Sequence, residues 1–387
     1  MTIGIDIRFL ARGIQSGVEE YTLNLLPRLF DLGKSLNFKL FYNAFRKRKL
    51  DCPWINLPNV KLCQFSIPNR FLQISSFFFG QPMIDKLVGG VDVFFSPHFI
   101  FAPVSKKVKK IITFHDLSFE YYPEFFSLQR KIWHKLMRPK IQAGLADKII
   151  AVSNSTKEDL FNLYKVAPEK VEVIYPGIGE EFRKVGKAEM ERVAKKYNLF
   201  TPHRPANGGA GAGPEKFILY FGTIEPRKNI VGIIKAFELL KPDAKLVIAG
   251  AAGWLCKDVY KAAKNSSIAK DIIFTGFIDK DDKPALYNLA EVFLYPSFFE
   301  GFGFPPLEAM ACGVPTIVSN TTSLPEVCGE AAFMVNPYDV NEIAEAIDEV
   351  LKNEELKKQM RDRGLSLSKK FDWQTCVKKT LKILTEI

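Results

Sequence analysis

The run EVFLYPS (291–297), continuing into SFFEGFGFPPLEAMACGVPTIVSN (297–320), decides the architecture of its half of the chain. Val292, Phe293, Leu294 and Tyr295 are consecutive apolar residues that favour extended backbone, so they predict a strand covered on both faces. A glycine-containing loop follows. Pro305 and Pro306 suit the first turn of a helix, where a missing N–H costs nothing because it would be unpaired anyway. The helix is predicted over 306–312, and PTIVSN (315–320) reads as the next strand. Strand, loop, helix and strand in one short stretch is the pattern of a parallel α/β sheet.

The same alternation continues on both sides. FILYFG (217–222), AKLVIAG (244–250), DIIFTG (271–276) and AAFMV (331–335) read as further strands, with helices over 229–240, 281–290 and 339–353. An independent set lies earlier: IGIDI (3–7), FKLFY (38–42), DVFFS (92–96), KIITF (110–114), KIIAV (148–152) and VEVIY (171–175), with helices over 18–32 and 127–145. Pro176–Gly177 closes that set. A polar helix (187–197) and the tract TPHRPANGGAGAGPEK (201–216) follow, and the tract's Gly, Ala and Pro content reads as a flexible linker. At 387 residues two domains are the natural division. The fold class is therefore α/β, with two Rossmann-like, doubly wound domains facing each other: 1–178, a linker over 179–216, and 217–370. A last helix, within 371–387, is expected to cross back onto the first domain. Ligands in such sheets bind beyond the carboxyl ends of the strands.

Candidate site residues sit at those ends. In the 297–320 run, Glu300 lies in the loop leaving a strand, and Gly301 and Gly303 let a ligand approach the backbone. Glu308 stands about one turn into the helix, near its positive end. The loop amides, Phe302 included, suit sugar hydroxyls or phosphate. One carboxylate then reaches a sugar while the other accepts from ribose hydroxyls. A second cluster is FGTIEPRKN (221–229), where Arg227 and Lys228 stand at a helix start, a place that disfavours cations unless an anion is near. A diphosphate is such an anion, and Arg and Lys are suited to its oxygens. A third is FHDLSFEYYPEFF (114–126). His115 and Asp116 follow a strand there and fit either a structural role or a hydrogen bond to a sugar hydroxyl. The fourth, GIQSGVEEYTLNL (13–25), places Gly17 at a loop-to-helix junction without a complete G-x-G-x-x-G.

E-G-F-G-x-P-x-L-E-A-M-A-C-G-x-P resembles the signature of family-4 glycosyltransferases (glycosyl transferases group 1), retaining enzymes of the GT-B fold. The resemblance implies that Glu300 contacts sugar hydroxyls, Glu308 the nucleotide ribose, and the amides of Gly301, Phe302 and Gly303 the sugar and phosphate. G-T-x-E-P-R-K-N resembles the mannosyltransferase-like subgroup, with Lys228 matching the family lysine. Thr223 stands where the family commonly carries arginine, so Arg227 is assigned the missing guanidinium role. His115 matches the histidine that faces the transferred sugar, and Gly17 the glycine near the donor phosphates. The implied activity is a retaining hexosyl transfer, with GDP-mannose the first donor and a UDP-hexose the second. The acceptor is a lipid-linked or other oligosaccharide of cell-surface glycan synthesis, and retention proceeds by front-face attack. No metal or cofactor is implied. A sugar-nucleotide epimerase of similar fold is the rival enzyme.

Composition narrows the partners. The net charge is +11, and nine Lys or Arg face three acids between 105 and 140. Nucleic acid, anionic lipid, substrate phosphate or plain solvation each account for such charge. Nucleic acid is the remote reading, since none of its recognition modules is present. The run 46–49 adds four cations, and FLQISSFFFG (71–80) fits a membrane-docking segment, an interior helix or part of an acceptor groove. Six scattered cysteines and the lack of a secretory leader predict a cytoplasmic protein, peripheral on the inner face of the membrane. Asp279, Asp281 and Asp282 are expected to cap a helix rather than hold a metal.

Overall fold

Near-continuous apolar runs become parallel strands here because helices can cover both faces of the sheet they build. A computed structural model describes residues 1–13, 16–45, 50, 52–199 and 217–387. The tract 201–216 and the cations 46–49 lie outside the described residues. The chain divides into two units: Met1–Pro123 with Leu128–Gly177 and Asp372–Ile387, and Glu124–Ser127 with Ile178–Phe371.

The first unit holds β1 (Thr2–Asp6), β2 (Asn37–Asn43), β3 (Val60–Phe65), β4 (Val93–Ser96), β5 (Lys109–Phe114), β6 (Lys148–Ala151) and β7 (Val171–Val173). They pair in parallel in the order β3-β2-β1-β4-β5-β6-β7. Its helices are α1 (Gly17–Leu32), α2 (Asn69–Phe79), α3 (Ile84–Leu87), α4 (Ser118–Tyr121), α5 (Leu128–Met137), α6 (Pro139–Leu145) and α7 (Asn154–Tyr164). Ile3, Ile5, Phe94, Phe95, Ile111, Ile112 and Phe114 are fully buried along the central strands. β3 is absent from the strands read in the sequence. It is an edge strand whose residues alternate half-buried and exposed, so VKLCQF lacks the apolar continuity of its neighbours. The single helix expected over 127–145 is two. Arg138 adopts φ 48° before Pro139, because a residue preceding proline is pushed out of the helical region.

The second unit holds β8 (Phe217–Phe221), β9 (Lys245–Ala249), β10 (Ile272–Gly276), β11 (Val292–Tyr295), β12 (Thr316–Ser319) and β13 (Phe333–Val335). They are parallel in the order β10-β9-β8-β11-β12-β13. The order reverses between β8 and β11, the adjacent strands from which a doubly wound sheet presents its ligand site. Its helices are α8 (Lys187–Lys196), α9 (Ile230–Leu240), α10 (Lys257–Asn265), α11 (Lys283–Leu289), α12 (Phe304–Ala311), α13 (Leu324–Cys328), α14 (Val340–Lys352) and α15 (Glu354–Ser368). α16 (Trp373–Thr385) returns to the first unit and packs on α1.

The beginning of the stretch read as a linker is part of the second unit. α8 packs on α11, and Asp282 fastens it with Arg192 at 2.7 Å, Lys196 at 2.5 Å and the Tyr197 hydroxyl at 2.9 Å. Those bonds also revise the aspartate reading. Asp282 occupies the N-cap position of α11 yet makes no side-chain cap bond, because it accepts from α8 instead.

Candidate active site

In the second unit, the turn after β8 and the loop after β11 are fastened to each other. A short 3-10 turn, Pro226–Lys228, carries both cations, and Asn229 closes it in the left-handed region at φ 55°. Buried Asn229 donates Nδ2 to the carbonyls of Pro296 at 3.2 Å and Pro337 at 2.6 Å. The Phe298 amide donates to the Arg227 carbonyl at 2.9 Å. On the other side, Thr322 Oγ1 accepts from the Glu300 amide at 3.0 Å, and Ser323 Oγ donates to the carbonyls of Glu300 and Phe302. A loop with this many fixed points holds its side chains in place before any ligand arrives.

Arg227, Lys228 and Glu300 meet there. Lys228 Nζ lies 2.6 Å from Glu300 Oε1 and 2.6 Å from the Tyr295 hydroxyl oxygen. Arg227 Nη1 lies 3.1 Å from Glu300 Oε2 and donates to the Phe299 carbonyl at 2.5 Å. Arg227 also binds Glu225 Oε1 through Nε at 3.1 Å and Nη2 at 2.8 Å. Glu225, Lys228 and Glu300 are all buried. Burial pushes the Glu300 carboxyl up, but the adjacent Arg227 and Lys228 charges outweigh it and hold the group at about 2. Burial also pushes Lys228 down, and Arg227 adds to that. The neighbouring Glu300 and Glu225 carboxylates counter only part of this, so the Lys228 pKa stays lowered. The cations thus find counter-charges inside the protein. The anion expected near these two cations is supplied within the fold by Glu225 and Glu300.

Glu308 stands on α12, buried, with Oε2 accepting from the Tyr287 hydroxyl at 2.7 Å and Oε1 3.9 Å from Lys283 Nζ. Gly303 precedes α12 at φ 104°, a conformation open to glycine and strained for other residues. Gly301 and Phe302 lie between Glu300 and this junction. Sequence reading missed Glu225, Lys283 and Tyr287. Glu225 had a visible signal, an acid two residues from Arg227. Lys283 and Tyr287 come from α11, far along the chain, and carried none.

In the first unit, His115 follows β5 at its carboxyl end. Its Nε2 donates to the Pro97 carbonyl at 2.8 Å, and its ring meets Tyr21 edge-on with centroids 4.9 Å apart. Burial lowers its pKa, partly countered by the Pro97 bond, so the imidazole is neutral at pH 7 and Nδ1 is the accepting nitrogen. Asp116 shapes the loop: its Oδ1 accepts from the Ser118 amide at 3.0 Å and hydroxyl at 2.7 Å. His98, after β4, was missed. Its ring lies 5.9 Å from that of His115 and stacks on Trp133. Gly17 opens α1 behind Ser16, whose backbone N–H is accepted by Glu19 in a capping box. Among the described residues, no three His, Cys, Asp or Glu gather as a metal site would need.

Models of the families described as "Glycosyl transferases group 1" and "Glycosyltransferase Family 4" match residues 209–366 and 15–182. The chain belongs to these glycosyltransferases, and its two Rossmann-like domains are those of the GT-B fold. It is 28% identical over 391 aligned positions to O-antigen chain mannosyltransferase B of Escherichia coli, covering 95% of each chain. It is 36% identical over 236 residues to the serotype-specific mannosyltransferase WbdA of Escherichia coli, covering 59% of this chain and 27% of that one. Among solved structures, sucrose-phosphate synthase from Thermosynechococcus elongatus superposes with a TM-score of 0.75 at 19% identity, over 100% of this chain and 98% of that one.

Proposed function

We propose that this glycosyltransferase takes mannose from GDP-mannose, with retention of configuration, and adds it to a lipid-linked or oligosaccharide acceptor in cell-surface glycan synthesis. The observation that carries the reading is the clasp of Arg227 and Lys228 on Glu300 at the switch point of the second sheet. The choice of mannose follows the mannosyltransferases that the chain resembles.

In this reading the ribose hydroxyls donate to Glu308, whose Oε1 lies 3.9 Å from Lys283 Nζ. The diphosphate competes with Glu225 and Glu300 for the N–H groups of Arg227 and Lys228. As the cations turn toward phosphate, Glu300 gains accepting capacity for a sugar hydroxyl. The amides of Gly301, Phe302 and Gly303 lie along the same path. During transfer, negative charge grows on the departing diphosphate, and preoriented cations stabilise it without reorganising solvent. Glu300 is a poor candidate for nucleophile: a carboxylate held at about 2 is a weak base. Retention then proceeds at the front face, with the leaving phosphate taking the acceptor proton. In the first unit, His115 Nδ1 is proposed to accept from a sugar hydroxyl, and the Gly17 amide at the start of α1 to meet phosphate.

The test is acceptor-dependent release of GDP from GDP-mannose, run beside UDP-hexoses, with the anomeric configuration of the product read by NMR. Faster turnover of a UDP-hexose, or an inverted product, overturns the donor or the stereochemistry respectively.

A further inference from the structure

The sequence left FLQISSFFFG (71–80) open between interior and surface roles. In the fold, α2 is a surface helix. Leu72 sends its side chain into a cluster with Phe41, Ile84, Val88 and Phe94. A neighbouring stripe faces solvent, with Phe71 64% exposed, Ile74 54% and Phe78 69%, and Phe79 at the end of the helix is 76% exposed. Residues 71, 74 and 78 are spaced three and four apart, so they share one face of the helix. Four large apolar side chains left in water on an 11-residue helix form a patch that ordinary solvation does not account for.

Charge says what covers it. The first unit carries 28 Lys and Arg against 16 Asp and Glu, while the second carries 26 against 27, so the whole excess lies in the first. The helix that packs against α2 is cationic. α2, α5 and α6 contain no Asp or Glu, and they carry Arg70, Arg130, Lys131, Lys135 and Lys140. α5 packs against α2, and its outer face alternates exposed Leu128 and Ile132 with exposed Lys131 and Lys135. The Arg138 guanidinium, at the α5–α6 junction, sits 3.8 Å from the Phe77 ring centre and joins the helices into one surface. Exposed apolar side chains on helices that carry cations and no acid match a bilayer interface whose headgroups are anionic.

We propose that α2 and α5 dock the first unit onto an anionic phospholipid surface. The α2 phenylalanines enter the headgroup–acyl boundary, and the α5 lysines and Arg70 meet lipid phosphates. No helix among the described residues is long and apolar enough to cross a membrane, so attachment by this surface is peripheral. The inference stands apart from the donor and the stereochemistry proposed above.

The experiment is flotation of the full chain with vesicles of equal parts phosphatidylglycerol and phosphatidylcholine, beside vesicles of phosphatidylcholine alone. The wild type is expected to float with the anionic vesicles and far less with the neutral ones. The double variant Phe78→Ser/Phe79→Ser should lose roughly tenfold or more of its partition coefficient. Lys131→Glu/Lys135→Glu should lose about fivefold per lysine on anionic vesicles, less as salt rises, and nothing on neutral ones. Both variants should melt within a degree or two of wild type and bind nucleotide unchanged, since every altered side chain is on the surface of the first unit. Equal flotation of variants and wild type, or none by the wild type, overturns the proposal. So does a wild-type dimer in light scattering that the phenylalanine variant dissolves, because a second copy then covers the face.

Discussion

At Glu300 a single carboxylate serves two cations, and its titration makes that visible. Its folded value of about 2 lies below the ordinary 4.5, so the group stabilises the fold fully above pH 4.5. That contribution is lost as pH falls from 4.5 through 2. Glu300→Gln should therefore flatten the acid side of the stability–pH curve, measured as urea midpoints between those values; an unchanged acid slope would mean that the carboxylate is not held by its neighbours. Lys228 belongs to the same clasp but is expected to matter more for rate. Lys228→Ala should lower kcat by roughly 10²–10³ if it stabilises the departing diphosphate, with a smaller change in nucleotide affinity. Because breaking a buried ion pair costs on the order of 3–5 kcal/mol, the comparison requires a melting curve showing the variant folded at the assay temperature. Glu308 offers the reciprocal case. Glu308→Gln keeps an oxygen for the Tyr287 hydroxyl but weakens acceptance from ribose, and nucleotide Kd should rise roughly tenfold or more. Calorimetry showing wild-type affinity would remove Glu308 from the site.

The elements that carry these residues depend on two glycines that differ in what surrounds them. Gly303, at φ 104°, has the tip of the Leu324 side chain 2.6 Å from where a Cβ would stand. Gly250, at φ 134° beyond β9, has the backbone carbonyl oxygen of Gly222 at 2.0 Å. A leucine tip can rotate away, whereas a carbonyl in the turn leading to Arg227 cannot. Gly303→Ala should therefore cost roughly 1–3 kcal/mol of strain, and Gly250→Ala distinctly more, with a lower melting temperature. The reverse order would show that neighbours matter less than φ. Motif glycines, strands and most helices were legible because each writes itself in consecutive residues: six apolar runs in the second half correspond to β8 through β13. What escaped was built by contact. β3 is half-exposed and so lacks an apolar run, and the α5–α6 break follows from Pro139 acting on Arg138. Glu225 gains its meaning only when Arg227 folds back on it, and Lys283 and Tyr287 reach Glu308 from another helix.

At the scale of the molecule, the main part of the first unit closes at Gly177, where Pro176–Gly177 ends an apolar run. α8 is polar, and its attachment to the second unit rests on Asp282 and on apolar packing that spacing does not reveal. The final helix shows the same dependence on packing. Asp372 caps α16 by accepting from the Thr375 amide at 2.8 Å, and Trp373, Val377, Ile383 and Leu384 are buried in the first unit. Trp373 lies beside Tyr21 of α1 with ring centres 5.9 Å apart. The backbone amide of Trp373 presses so closely on Gly177 that a Cβ there would sit 2.2 Å from it. Burying four such side chains contributes about 1.5–3 kcal/mol each, comparable to the entire 5–15 kcal/mol stability of a typical domain. Ending the chain after Phe371 should therefore unfold the first unit while leaving the second folded, since that unit closes at Phe371 without α16. Limited proteolysis with mass spectrometry distinguishes the outcomes: cleavage should spread across 1–177 and leave resistant fragments from within 217–371. Equal protection of both halves would mean that α16 decorates the first unit and does not complete its core.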